Sequence, residues 1–335
     1  LLLRFLRGAL ARPVMVVCGN AMVNALHALP AGLGCGTINL VYYDVTNSHS
    51  QPSGSLSMSA PTLSTTPARP LRGAEHDRGL QALRVHVVDV TQPCASLLRL
   101  VVQLPPQAEL APWQRANTAV RIQLGAAFTD VSRIYTVRSV DAQTRRFTLD
   151  VVLHEAPGTM LAWVRALEPG DAFDLTGPRP HLQVPHREGS VALLFADQSA
   201  IPALSALLQQ WPNGLRAQAW IASDDPFPVD ELPAVEGVCM QRVSTGATPL
   251  LQQARRLRTG ANNTVWAAGE REEMRALRRY FLEACGLPRA DVAVAGYWKH
   301  GQTTTETDQR RRRNYERVLA RGGGLQDLDD LADDI

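Results

Sequence analysis

The chain has 335 residues, enough for two medium domains that each bury a core. A formal net charge of +2, with 45% hydrophobic and 20% charged residues, fits an ordinary globular protein and excludes the strongly basic balance of a nucleic-acid binder. The five cysteines lie far apart, with no CxxC pair and no Cys/His cluster at zinc spacing, so we expect reduced thiols, no protein-bound metal and a cytoplasmic protein.

Residues 1–57 do not read as a domain. Their apolar run is broken by Gly19, Asn20, Asn24 and His27 and is too polar to span a bilayer, so no stable membrane insertion is expected. We expect this stretch to be an upstream extension, with Met58 as the start and residues 58–80 as a disordered Ser/Thr/Pro leader. From residue 83 short apolar or alternating runs separated by turn residues predict strands over 83–90, 97–104, 119–124, 132–140, 146–153 and 172–175. Six strands interrupted by one predicted helix near 159–167 suggest a small antiparallel barrel over residues 81–180.

A Pro-, Gly- and His-rich linker over 177–189 separates this region from one where strand and helix patterns alternate, as in a parallel sheet covered by helices. Strands are predicted over 190–195, 215–222, 237–243, 264–268 and 292–297, with helices near 199–210 and 270–285. In the last helix Met274, Leu277, Phe281 and Ala284 recur at three- and four-residue spacing, with acidic residues early and Gly286 and Pro288 after it. The expected fold class is therefore β + α/β: an antiparallel barrel, an α/β domain over 190–302, then a helix and acidic tail over 303–335.

Candidate chemistry begins on the strand Arg133-Ile134-Tyr135-Thr136-Val137-Arg138. Alternation sets Arg133 and Tyr135 on one face and Thr136 and Arg138 on the other. A guanidinium suits a pyrophosphate, a tyrosine ring suits a flat heterocycle, and a threonine hydroxyl can bond a ring nitrogen. Next come the strand end Asp150-Val151-Val152-Leu153-His154 and the glycine-containing loop into Gly158-Thr159-Met160, with Trp163 following. Two further strand-to-helix junctions are Ala196-Asp197-Gln198-Ser199-Ala200 and Trp266-Ala267-Ala268-Gly269-Glu270, and the closing segment is Gly296-Tyr297-Trp298-Lys299.

In this order and spacing the motifs resemble those of the siderophore-interacting family of flavoproteins. The resemblance runs over roughly residues 83–306. Glu155 and Leu161 differ from the family's usual HGxxGPAS loop. The resemblance implies an FAD-binding barrel and an NAD(P)H-binding α/β domain that together form an oxidoreductase, a ferric-siderophore reductase; the expected state is a monomer. It implies FAD contacts from Arg133, Tyr135, Thr136, Val137, Arg138, Asp150, Val152, His154, Gly158, Thr159, Met160 and Trp163. NADPH or NADH would meet Asp197, Ser199, Ala200, Gly269 and Glu270. Thr136, near the flavin, and Lys299, the chain's one lysine, are the implied catalytic positions. Lys299, Trp298 and Arg138 would meet an anionic ferric siderophore, a small-molecule substrate whose iron keeps its own oxygen ligands. Two other readings stay open: a generic flavin or ferredoxin-type reductase, and a siderophore-binding module without catalysis. Asp224 and Asp225 disfavour a 2′-phosphate while Arg271 favours one, so the donor's identity is left open.

Overall fold

The structure, a computed structural model, describes residues 80–153 and 158–301 together with 317 and 320. The expected extension, leader and acidic tail lie outside the described residues. So does His154.

Six strands close an antiparallel barrel: β1 (Gln81–Cys94), β2 (Leu97–Gln103), β3 (Thr118–Gln123), β4 (Ser132–Asp141), β5 (Arg146–Val152) and β6 (Ala172–Pro180). Their order around the wall is β1-β2-β5-β4-β3-β6, with β1 and β6 paired to complete the ring. Alternation does the sorting. Val85, Leu100, Ile122, Val137, Phe147, Leu149 and Leu175 point inward and are all but fully buried, while their sequence neighbours face out. One end is plugged by α1 (Thr159–Arg165), which buries Met160, Leu161, Trp163 and Val164, with Trp163 edge-on to Phe173 at 5.1 Å. Strand β6 runs on to Pro180, through a cis Gly177–Pro178 bond, into residues expected to be linker.

The second lobe is a five-stranded parallel sheet ordered β11-β10-β7-β8-β9. Its strands are β7 (Val191–Asp197), β8 (Arg216–Ala222), β9 (Val238–Val243), β10 (Asn263–Glu270) and β11 (Val292–Trp298). The chain walks from β7 outward through β8 to β9, then returns to place β10 on the other side of β7. The β7/β10 boundary is therefore a topological switch point, where the strands' C-terminal ends leave a crevice.

Helix α2 (Ile201–Leu208) covers one sheet face, and all eight of its residues are buried because β4 of the barrel lies across its other side. A helix apolar on every face belongs in such a sandwich. The short α3 (Phe227–Asp230) follows β8. The opposite sheet face carries α4 (Pro249–Arg256) and α5 (Arg271–Arg279), the latter continuing as a π-helical turn over Tyr280–Ala284.

Phe281, in that turn, is fully buried with its ring 5.6 Å from Phe195 and 5.2 Å from Tyr280. Phe281→Ala should lower unfolding free energy by about 3–5 kcal/mol in a urea titration. A loss below about 1 kcal/mol would contradict the close packing found there.

Candidate functional site

The two lobes meet along the outer faces of β2, β4 and β5, and four charged side chains join them. Arg99 of β2 donates to Asp150 of β5 at 2.7 and 3.0 Å and to Glu231, just after α3, at 2.9 and 2.7 Å. Arg138 of β4 donates to the same Asp150 at 3.0 Å and approaches Glu231 at 3.5 Å. Glu231 and Asp150 keep Arg99 firmly protonated, and Arg99 in turn holds Glu231 below the usual carboxylate range. Ser96 adds a 2.6 Å bond to Asp225, and Gln209 of α2 donates to the Arg138 carbonyl at 3.1 Å.

The wall of the barrel parts beside this contact. The β4/β5 ladder runs only from Asp141↔Arg146 to Val137↔Leu149. Beyond it residues 132–136 of β4 pair with β3 and residues 150–152 of β5 pair with β2. One backbone edge of each strand thus faces the opening between them. The turn Gln198–Ala200 of the second lobe approaches β5 at this level. The strand bearing Tyr135 and the C-terminal end of β5 therefore border one opening.

Around it stand several sequence-predicted residues. Arg133 is buried and donates to the Ser132 carbonyl at 2.8 Å. Burial pushes the Tyr135 hydroxyl well up, against the opposing pull of Arg133. Thr136 faces the second lobe, beside the buried hydroxyl of Tyr297 and the side chain of Asn117. The Tyr297 hydroxyl interacts with the Thr136 and Asn117 side chains, whereas Gln198 Nε2 is buried without a protein partner. Buried polar atoms of this kind call for a ligand or water to satisfy them. Asn117 is held by its own donation to the Leu182 carbonyl at 2.6 Å, and Tyr297 by an edge contact with His181 at 5.5 Å.

At the switch point Asp197 accepts from the Ser199 N–H at 2.8 Å, the Ser199 hydroxyl at 2.6 Å and Trp298 Nε1 at 2.7 Å. Burial raises its pKa against these donors. Gly269 has φ +154, and a Cβ there would lie 2.6 Å from Asp197 Cγ, so the carboxylate occupies the place a side chain would need. Ala200 is fully buried under α2. Glu270 caps α5 through the Glu273 N–H at 2.9 Å and accepts from the His300 N–H at 3.1 Å. Glu273 itself reaches the N–H groups of Leu250 and Leu251 at 2.7 and 3.0 Å, anchoring α4 to α5.

Several expected ligand contacts have different surroundings. Arg138 and Asp150 are engaged in the ion network because their outward-facing strand positions meet Arg99 and Glu231. Val137, Met160 and Trp163 turn their side chains into the barrel core, while Val152 stays partly open at the strand end. Gly158 precedes α1 with open space around its Cα, and Thr159 begins that helix. Lys299 forms an ion pair with Glu272 at 3.1 Å, next to Trp298, one of the large apolar side chains left exposed. Arg271 is 1% exposed, its stem against Gly296, so burial keeps it from the rim where a 2′-phosphate was expected to find it. Among the described residues no group of His, Cys, Asp and Glu is placed to hold a metal ion, and no helix is long and apolar enough to cross a membrane.

Sequence reasoning missed Asn117, Glu231, Glu273 and the Ser96–Asp225 bond. Only Asn117 carried a local signal, an amide residue just before a strand, and it adopts φ +50.

Two family models match: siderophore-interacting FAD-binding domain over residues 86–182 and siderophore-interacting protein over residues 190–301. Ferric acinetobactin reductase of Acinetobacter baumannii is 33% identical over 269 residues, covering 78% of this chain and 93% of the relative. The mycobactin import ATP-binding/permease protein IrtA of Mycolicibacterium thermoresistibile is 28% identical over 52% of this chain, a match spanning 20% of that longer protein. The solved structure of the siderophore-interacting protein from A. baumannii superposes with a TM-score of 0.69 at 31% identity, covering 72% of this chain and 99% of that one.

Because Arg99 lowers the Glu231 pKa, the ionised form contributes stability above the ordinary glutamate pKa, lost as pH falls through the depressed folded value. Glu231→Gln should cost about 1–3 kcal/mol at pH 7, between the values for surface and buried pairs. It should also flatten the acid limb of a stability-against-pH curve. An unchanged acid limb in denaturant titrations would remove Glu231 from the network's energetics.

Proposed function

This chain belongs to the siderophore-interacting protein family, and from that membership we propose that it is an FAD-dependent ferric-siderophore reductase driven by NAD(P)H. The observation that supports the reading is the parted β4/β5 wall, approached by the turn that follows β7 at the β7/β10 switch point, so that a gap in the barrel and a sheet-end crevice lie near each other. The buried Gln198 Nε2, without a protein partner, would suit a polar heteroaromatic group in that gap.

Bound FAD supplies the conversion of a donor's hydride into single-electron transfers. The chain's part is placement. Arg133 would hold the pyrophosphate, Gly158 and Thr159 would offer backbone N–H groups, and Tyr135 and Thr136 would orient the ring system. Asp197, Ser199, Gly269 and Glu270 would shape the crevice for the nicotinamide dinucleotide, with the Cβ-free Gly269 leaving room for the Asp197 carboxylate. Each NAD(P)H gives up two electrons, so it reduces two ferric ions and releases one proton. Ferrous iron is held less firmly by hard oxygen ligands, and release follows. Trp298 offers an exposed face to the chelate. The Lys299–Glu272 pair is surface-accessible on the Glu272 side, so an anionic chelate can exchange for Glu272 at little cost.

The purified protein should be yellow and should bleach when NADH or NADPH is added without oxygen. A ferric siderophore should then give a ferrous-dye signal that depends on both donor and protein. A protein that cannot be reconstituted with FAD, or reduced flavin with no ferrous signal, would overturn the assignment. Arg133→Ala should weaken FAD retention by about ten- to hundredfold, from the loss of a charge-assisted bond. Unchanged flavin content in that variant would refute the role given to Arg133.

A further inference from the structure

We propose that the dinucleotide used by this protein is NADH, and that Asp224 makes the choice. The inference rests on the reading that the second lobe binds a nicotinamide dinucleotide at the β7/β10 crevice. From there it follows the sheet. Counted outward from β7, the neighbouring β8 is the second strand of the nucleotide-binding half, and in such sheets the adenosine ribose reaches that strand's C-terminal end. A carboxylate there accepts a bond from the ribose 2′-hydroxyl, whereas an arginine receives the 2′-phosphate of the phosphorylated dinucleotide.

After β8 the chain reads Ser223-Asp224-Asp225. The two carboxylates have separate surroundings. Asp225 is turned into the lobe contact, accepting from the Ser96 hydroxyl at 2.6 Å and the Phe227 N–H at 3.0 Å. Asp224 stays at the rim. Its Oδ1 accepts from the Thr245 N–H at 3.1 Å and its Oδ2 from the Thr245 hydroxyl, so the loop after β9 fixes the carboxylate at the sheet's edge. Two oxygens offer about four lone-pair directions, of which Thr245 uses two. Capacity remains for ribose hydroxyls. The Thr245 donors also lower the Asp224 pKa, so the group keeps its charge when a phosphate dianion approaches.

The arginines that would welcome a 2′-phosphate are placed otherwise. Arg271 is buried. Arg255 and Arg256 close α4, the helix that leads into the start of β10, so they lie at the opposite edge of the sheet. Arg242, near the end of β9, does stand beside Asp224, but its Nη1 donates to the Ser223 and Asp224 carbonyls at 3.1 and 3.4 Å. In this arrangement Asp224 governs the rim and Arg242 braces its backbone. Removal of the carboxylate would leave Arg242 as an unopposed cation.

The test is calorimetric binding of NAD+ and of NADP+ to the full FAD-loaded protein, with anaerobic flavin reduction by NADH and NADPH as a second readout. Wild-type protein should bind NAD+ roughly tenfold or more tightly than NADP+, the scale of one like-charge contact at a partly screened rim. Asp224→Ser should weaken NAD+ and strengthen NADP+, and adding Arg242→Ala should cancel the NADP+ gain. A thermal midpoint close to wild type would verify the fold of each variant. NADP+ binding as tightly as NAD+ to the wild type, or an unchanged ratio in Asp224→Ser, would overturn the choice assigned to Asp224 alone. Failure of both dinucleotides to bind would instead overturn the reading of the second lobe itself, and this inference with it.

Discussion

The architecture depends on the way Asp150 and Glu231 share two arginines. Asp150 is almost wholly buried on the outside of the barrel, a place where an isolated carboxylate would be prohibitively costly. Arg99 and Arg138 satisfy it from neighbouring strands, and both are left with charge that Glu231 answers from the second lobe. Neither lobe balances this cluster alone. The barrel contributes two positive charges and one negative, and the α/β lobe supplies the missing carboxylate, so registering the lobes is an electrostatic requirement as well as a matter of apolar fit.

Helix α2 converts that registration into a site. Being buried on both sides, it transmits the position of β4 to the C-terminal end of β7, from which it starts. The opening in the barrel wall and the crevice of the sheet are thereby held close to each other by one eight-residue rod. The same logic explains why the second lobe's rim is built from carboxylates that cap its helices: Glu270 and Glu273 fix α5 and α4, leaving Gly269 and Asp197 as the bare floor between them.

Much of this was legible in the sequence, and the limits are physical. The strands and the helix bearing Phe281 announced themselves through periodicity, since one face of each is buried. Motif order placed Arg133 and Tyr135 on the strand that became β4, and Asp197 and Gly269 at the ends of β7 and β10, where the structure has them. Arg138 and Asp150 were harder to read, because a charged residue on an outward strand position looks the same whether it meets a ligand or a counter-charge 93 residues away. Helix α4 went unnoticed: it is only eight residues long, and its anchor, Glu273, lies on another helix. Lys299 drew attention through its rarity, a property of composition that carries no information about Glu272 beside it.

The closing of β1 onto β6 has a consequence for synthesis on the ribosome. Every barrel strand precedes the first strand of the parallel sheet, so the ring can complete itself as soon as Pro180 emerges. At that moment Glu231 has yet to be translated, and the finished barrel displays Arg99 and Arg138 against Asp150 alone. The nascent chain thus carries an excess positive patch on the flank awaiting the second lobe, and arrival of the carboxylate some fifty residues later both neutralises that patch and marks the correct docking face.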